Sequence, residues 1–120
     1  MHHVQITVSA ADVGRARDFY CGVLQLPEIS KPEALHSRGG FWLKVGERQV
    51  HVGVEEDVNR AGTKAHIAYH VTQLAQWRMR LDEHGMCTET GLPIPHHERF
   101  EFRDPFGNRV ELIEAVEDNI

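Results

Sequence analysis

The chain has 120 residues, 41% hydrophobic and 26% charged, with a net charge of −5 and two cysteines; that suffices for one domain with a real core and is too short for two independent ones. No lysine/arginine block stands out, which argues against nucleic acid or an anionic membrane as partner, and no apolar run approaches the roughly 18–20 residues of a membrane span. No signal-peptide pattern opens the sequence and Cys21 and Cys87 form no metal or redox spacing, so a reduced, cytoplasmic setting is expected.

Nine histidines are the compositional outlier, and one of them opens the first predicted strand, about His2–Ser9. Val4, Ile6 and Val8 share its apolar, β-branched face, as a half-buried strand requires. Ser9 or Asp12 is the expected cap of a helix running to about Val23, with Val13, Ala16, Tyr20, Val23 and Leu24 on one buried stripe and Phe19 beside it. A short strand is expected within Leu26–Ile29. Lys31–Gly40, with Pro32 and the pair Gly39-Gly40, reads as a loop. Phe41–Val45 and Arg48–Glu55 then form a hairpin around Gly46-Glu47.

The polar stretch Asp57–Thr63 is the expected linker, and after it the pattern restarts. Lys64–Val71 reads as a strand with Ile67, Tyr69 and Val71 on one face and His66, Ala68 and His70 on the other. A helix over about Gln73–Gly85 follows, with Leu74, Trp77 and Leu81 on its stripe, then a short strand near Thr88. Pro93 and Pro95 stiffen a loop over Gly91–His97. Arg99–Arg103 and Asn108–Ala115 form a second hairpin around Asp104-Pro105-Phe106-Gly107. The order is thus β-α-β-β-β twice, with module 1 at about 1–56 and module 2 at about 64–116 of a single domain. His66 follows His3 by 63 positions, too long a period for a solenoid array and suited to one duplicated half-domain.

The last strands of the two copies compare in the same way. Val50-His51-Val52 matches Val110-Glu111-Leu112, a polar residue interrupting an apolar strand in each. Four candidate metal ligands therefore occupy equivalent places, His3, His51, His66 and Glu111, each on the face opposite the helix-packing residues. Imidazole nitrogen and carboxylate oxygen suit a divalent ion such as Zn, Ni, Co, Mn or Fe(II). A single strand histidine is more often a hydrogen-bonded core residue than a ligand. An unpaired carboxylate between Val110 and Leu112, however, would cost several kcal/mol and calls for a partner, an ion or open water.

With His3-Val4, Ile6 and Val8, Phe19-Tyr20 before Val23-Leu24, Val50-His51-Val52-Gly53-Val54-Glu55, Lys64-Ala65-His66, and Asp104-Pro105-Phe106-Gly107-Asn108 leading into Val110-Glu111-Leu112, the chain resembles the vicinal oxygen chelate, or glyoxalase/bleomycin resistance/dioxygenase, superfamily. The resemblance implies an α+β fold, two tandem β-α-β-β-β modules forming an open, U-shaped mixed barrel of about eight strands with helices outside. It implies a divalent metal on His3, His51, His66 and Glu111, with Glu111 also the catalytic base, a small-molecule substrate, and a homodimer whose chains share metal sites. The superfamily spans glyoxalase-type isomerases and lyases, Fe(II) extradiol-type dioxygenases and metal-free drug-binding resistance proteins, and a shared fold does not choose among them. Glyoxalase-type chemistry is the favoured expectation. Two departures stand out. Histidine stands at 51 where glyoxalase I commonly has a carboxylate, which argues against glutathione-dependent glyoxalase activity, and Leu24-Gln25-Leu26 replaces the frequent Leu-Gly-Leu.

On the substrate side, Gln5, Thr7, His70 and Glu55 are expected to face the cleft. Trp42 and Phe100 are expected as apolar walls. Arg99, at the start of the second hairpin, is the expected anchor for a substrate carboxylate or phosphate, against the alternative of a solvated charge. His96-His97 read as a surface pair before a lid, and Cys21 and Cys87 as packing residues.

Overall fold

The computed structural model describes residues 1–117. The chain divides into two compact units, Met1–Val58 and Asn59–Ile120. In the first, β1 (His3–Val8) leads through a 3₁₀ turn (Ala10–Asp12) into α1 (Val13–Arg17), which continues as a π turn (Asp18–Val23); β2 (Glu28–Ile29), β3 (Phe41–Val45) and β4 (Arg48–Val54) follow. In the second come β5 (His66–His70), α2 (Leu74–Glu83), β6 (Glu89–Thr90), β7 (His97–Arg103) and β8 (Arg109–Ala115). The sheets have strand orders β1-β4-β3-β2 and β5-β8-β7-β6. In both, the first strand pairs in parallel with the last and the other pairings are antiparallel. This is the duplicated β-α-β-β-β, glyoxalase-like α+β fold that the sequence predicts.

Each sheet has one apolar face. Val8, Phe41, Leu43, Val50 and Val52 are buried with Ala16, Phe19, Tyr20 and Leu24 of the first helical segment and its end. In the second unit Tyr69, Phe100, Phe102, Val110 and Leu112 are buried, as are Leu74 and Leu81 of α2. Each large side chain so buried contributes roughly 1.5–3 kcal/mol. The halves also share a polar brace. Arg17 lies 5.0 Å from the Phe41 ring and its Nε donates to Glu28 at 2.8 Å. Arg78 lies 5.4 Å from the Phe100 ring and donates to Thr88 and Thr90.

The first helix is not capped as the sequence predicts. Neither Ser9 nor Asp12 makes a side-chain cap bond; Asp12 instead takes Arg15 at 3.0 Å. A carboxylate from beyond the last strand does the work, with the Ala10 N–H donating to Glu56 at 2.7 Å. In the second unit the N–H groups of Gln73 and Leu74 donate to the two oxygens of Glu114 at 2.8 and 3.1 Å. Charge at a helix N-terminus satisfies orphan donors and the macrodipole wherever in the chain it comes from.

Three segments are more ordered than expected. The Lys31–Gly40 loop holds a 3₁₀ helix, Glu33–Arg38. The expected linker holds another, Arg60–Gly62, with Arg60 buried and its carbonyl accepting from Arg103. β7 starts at His97, so Arg99 lies inside a strand. Asp104, 4% exposed, accepts the N–H groups of Phe106 and Asn108 and shapes the β7–β8 turn. Among the described residues no helix is long and apolar enough to cross a membrane.

Candidate metal centre

Parallel pairing of first and last strands is what sets the candidate ligands side by side. β5 and β8 run in register with Ala68 opposite Glu111, so His66, two positions earlier, lies diagonally from Glu111 on the same face. His66 Nε2 stands 3.3 Å from Glu111 Oε1. The other ring nitrogen, Nδ1, lies 2.9 Å from the Lys64 carbonyl oxygen. A carbonyl only accepts, so Nδ1 carries the hydrogen and the Nε2 of the neutral ring presents its lone pair to a carboxylate oxygen. Two acceptors that close need a proton or a cation between them. Their separation is also that of two ligands each about 2.0–2.1 Å from one ion in tetrahedral geometry.

Glu101, which sequence reasoning missed, belongs to the same cluster. It lies directly opposite Glu111 across the β7–β8 pairing. Ligand atoms of His66, Glu101 and Glu111 all fall within 4.8 Å of one another. The period-two pattern of Arg99-Phe100-Glu101-Phe102 was the available signal, because it puts Glu101 on the face of Arg99 and Phe100 on the other.

Arg99 and Phe100 lie next to each other on β7. Phe100 is 1% exposed, opposite Leu112 and beneath Arg78, and packs in the core. Arg99 is no free anchor. Its Nη1 donates to Glu111 Oε1 and Glu101 Oε1, each at 2.9 Å, and its Nε to the Leu92 carbonyl at 3.1 Å. Arg109 holds the other oxygen of Glu101 at 2.5 Å. Burial alone would raise the Glu101 carboxyl, but the hydrogen bonds from Arg109 and Arg99 outweigh it and hold the group below its ordinary range. His70 is exposed at the far end of the same strand.

The first unit repeats the diagonal. Gln5 is opposite His51 in the β1–β4 pairing, and His3, two positions earlier, stacks on His51 with ring centroids 4.0 Å apart. Trp42, directly across the β3–β4 pairing, stacks on the other side of His51 at 3.7 Å and 3°. His51 is 5% exposed, and its Nε2 lies 2.9 Å from Gln49 Oε1. Burial, then the neighbouring charges of His3, His2 and Lys31, push its pKa down to about 4. His3 Nδ1 lies 3.0 Å from His2 Nδ1. The Gln5 side-chain amide lies over Gly53, where a Cβ would come within 2.8 Å of its Nε2, and Glu55 accepts from Thr7 at 3.3 Å. The candidates therefore fall into two groups, His3, His51, Trp42 and Gln5 in one unit and His66, Glu111, Glu101 and Arg99 in the other.

Residues 1–112 match the family model of the Glyoxalase/Bleomycin resistance protein/Dioxygenase superfamily. The chain belongs to this superfamily. A glyoxalase family protein from Bacillus anthracis is 36% identical over 96% of this chain and 93% of its own, with a TM-score of 0.88. At lower identity the likeness is one of fold. Lactoylglutathione lyase from Agrobacterium tumefaciens is 19% identical over 95% and 92% of the two chains, with a TM-score of 0.73. FosX, a fosfomycin resistance protein from Listeria monocytogenes crystallised with Mn(II) and sulfate, is 14% identical over 97% and 90%, with a TM-score of 0.77. No curated protein matches the sequence.

Within this superfamily member the donor set of the second unit suits a divalent ion. It offers an imidazole nitrogen oriented by a backbone carbonyl and two carboxylates, the hard and borderline ligands that such ions take, with an orienting hydrogen bond behind the ring.

Proposed function

We propose that the chain is a divalent-metal enzyme that chelates neighbouring oxygens of a small substrate and carries out isomerase or lyase chemistry of the glyoxalase type. The observation that carries this reading is the His66–Glu111 pair, an imidazole nitrogen and a carboxylate oxygen 3.3 Å apart with the ring fixed from behind. His66 and Glu111 are proposed as ligands, with His3 and His51 completing the set by their position in the superfamily pattern. A dication held there would supply the positive charge that polarises a carbonyl. Glu111 is the proposed base, taking a proton from carbon beside that carbonyl and returning it to the neighbouring carbon. In the metal-free protein Arg99 holds Glu111 through its Nη1. The reading includes the homodimer and the cytoplasmic setting expected from the sequence.

One observation favours a second reading, in which the protein binds a small molecule without metal: Arg99 already supplies Glu111 with a counter-charge. Elemental analysis of purified protein and of His66→Ala, with assays on 2-oxoaldehyde–thiol adducts and on catechols, separates the readings. The proposal expects about one metal ion per chain, its loss in His66→Ala, and turnover of the adducts. Iron with catechol ring cleavage would make the chain a dioxygenase. Metal content and ligand affinity unchanged in His66→Ala would leave the metal-free reading.

A further inference from the structure

Beside the proposed ligands His3 and His51, the first unit carries cationic side chains that the metal reading does not use. A cavity of about 490 Å³ is lined by His3, His51 and Trp42 on the sheet and by Lys31, Arg38 and Gly39 on the 3₁₀ segment. Among the described residues no aspartate or glutamate lines it, although the chain as a whole carries −5. A cavity lined by one sign of fixed charge concentrates ions of the other sign.

The segment that brings the cations is braced. Lys31 Nζ donates to the Gly39 carbonyl, His36 Nε2 lies 2.8 Å from the Lys31 carbonyl oxygen, and the Leu35 N–H donates to the Pro32 carbonyl at 2.9 Å. Gly40, at φ +78°, seats it on β4, for a Cβ there would lie 2.0 Å from the Val52 carbonyl oxygen. Lys31 keeps two of its three N–H donors after that bond. Arg38 has no hydrogen-bond or ion-pair partner among the described residues. Its five-donor guanidinium fits an oxyanion through two parallel hydrogen bonds.

We propose that this cavity binds an oxyanion carried by a small organic ligand, a phosphonate, phosphate or carboxylate group, through Arg38 and Lys31 beside the His3–His51–Trp42 stack. The inference deepens the functional reading by taking that ligand as the substrate, so the substrate class is an anionic small molecule. The site itself needs no metal.

Calorimetric titration of chelator-treated protein tests it, with phenylphosphonate, benzoate and inorganic phosphate as probes. Saturable binding of phenylphosphonate is expected, weakened about tenfold or more by Arg38→Gln and by Lys31→Gln, as loss of a charged hydrogen bond implies. Arg15→Gln, on the helix and outside the cavity, leaves it unchanged. Inorganic phosphate binding as tightly as phenylphosphonate assigns recognition to the oxyanion alone; tighter phenylphosphonate adds the aromatic stack. Benzoate as tight as phenylphosphonate extends the class to carboxylates. No saturable binding of any probe, or binding indifferent to both cavity variants in chains whose circular dichroism is native, overturns the proposal. Normal metal loading with no anion binding sinks only this inference; anion binding by a protein that takes up no metal sinks only the metal reading.

Discussion

Arg99 Nη1 and His66 Nε2 converge on one oxygen, Oε1 of Glu111, from 2.9 and 3.3 Å. This is how an acid side chain 6% exposed is accommodated between Val110 and Leu112. It also makes Arg99 the competitor of any cation that takes that oxygen. Arg99→Met is expected to destabilise metal-free protein by about 2–3 kcal/mol, the cost of leaving a buried carboxylate without its charge partner. The same variant is expected to bind Mn(II) or Zn(II) about tenfold more tightly, since no guanidinium has to leave. Urea denaturation in chelator and direct metal titration measure the two effects, and weaker metal binding by the variant would refute the competition.

His51 predicts a pH dependence. Its folded pKa of about 4 lies below the ordinary 6.5, so between those values the unfolded chain binds the proton more readily. The contribution of the neutral ring is therefore fully present above about pH 6.5 and is lost as the pH falls towards 4. His51→Phe keeps an aromatic ring between His3 and Trp42 but cannot titrate. Unfolding free energies at pH 7 and pH 4.5 should show wild type losing about 2 kcal/mol more than the variant. Equal losses would mean that His51 is not held neutral.

The helix caps give a test of stability away from the candidate centre. Glu114→Ala removes acceptors for the Gln73 and Leu74 N–H groups at the start of α2. It should cost about 1 kcal/mol, within the range of a lost N-cap. Glu56→Ala should cost a similar amount through Ala10. Thermal unfolding of both variants, with metal content unchanged, is the measurement.

Gln25 stands at the place of the glycine that the superfamily resemblance leads one to expect, and its backbone bears on that departure. Its φ is +60°, in the left-handed region that a side chain disfavours. Gln25→Gly should raise stability by roughly 0.5–1 kcal/mol despite the extra freedom of glycine in the unfolded chain. A fall in the urea midpoint would show that the Gln25 side chain contributes more than its strain costs.

Periodicity and spacing by themselves determined the duplicated β-α-β-β-β order, the buried stripes, and the equivalence of His3 with His66 and of His51 with Glu111. Alternation in a strand assigns a face to each residue from local sequence alone. Only the tertiary structure decided who meets whom on that face. The parallel registers set Gln5 beside His51 and Ala68 beside Glu111. The antiparallel ones set Trp42 against His51 and Glu101 against Glu111. The same pairing gives Arg99 its ion pair with Glu111 and seats Phe100 against Leu112. The parallel neighbours and the helix-capping bonds of Glu56 and Glu114 join residues some forty or more positions apart, and no local pattern encodes a partner at that distance; register and pairing do.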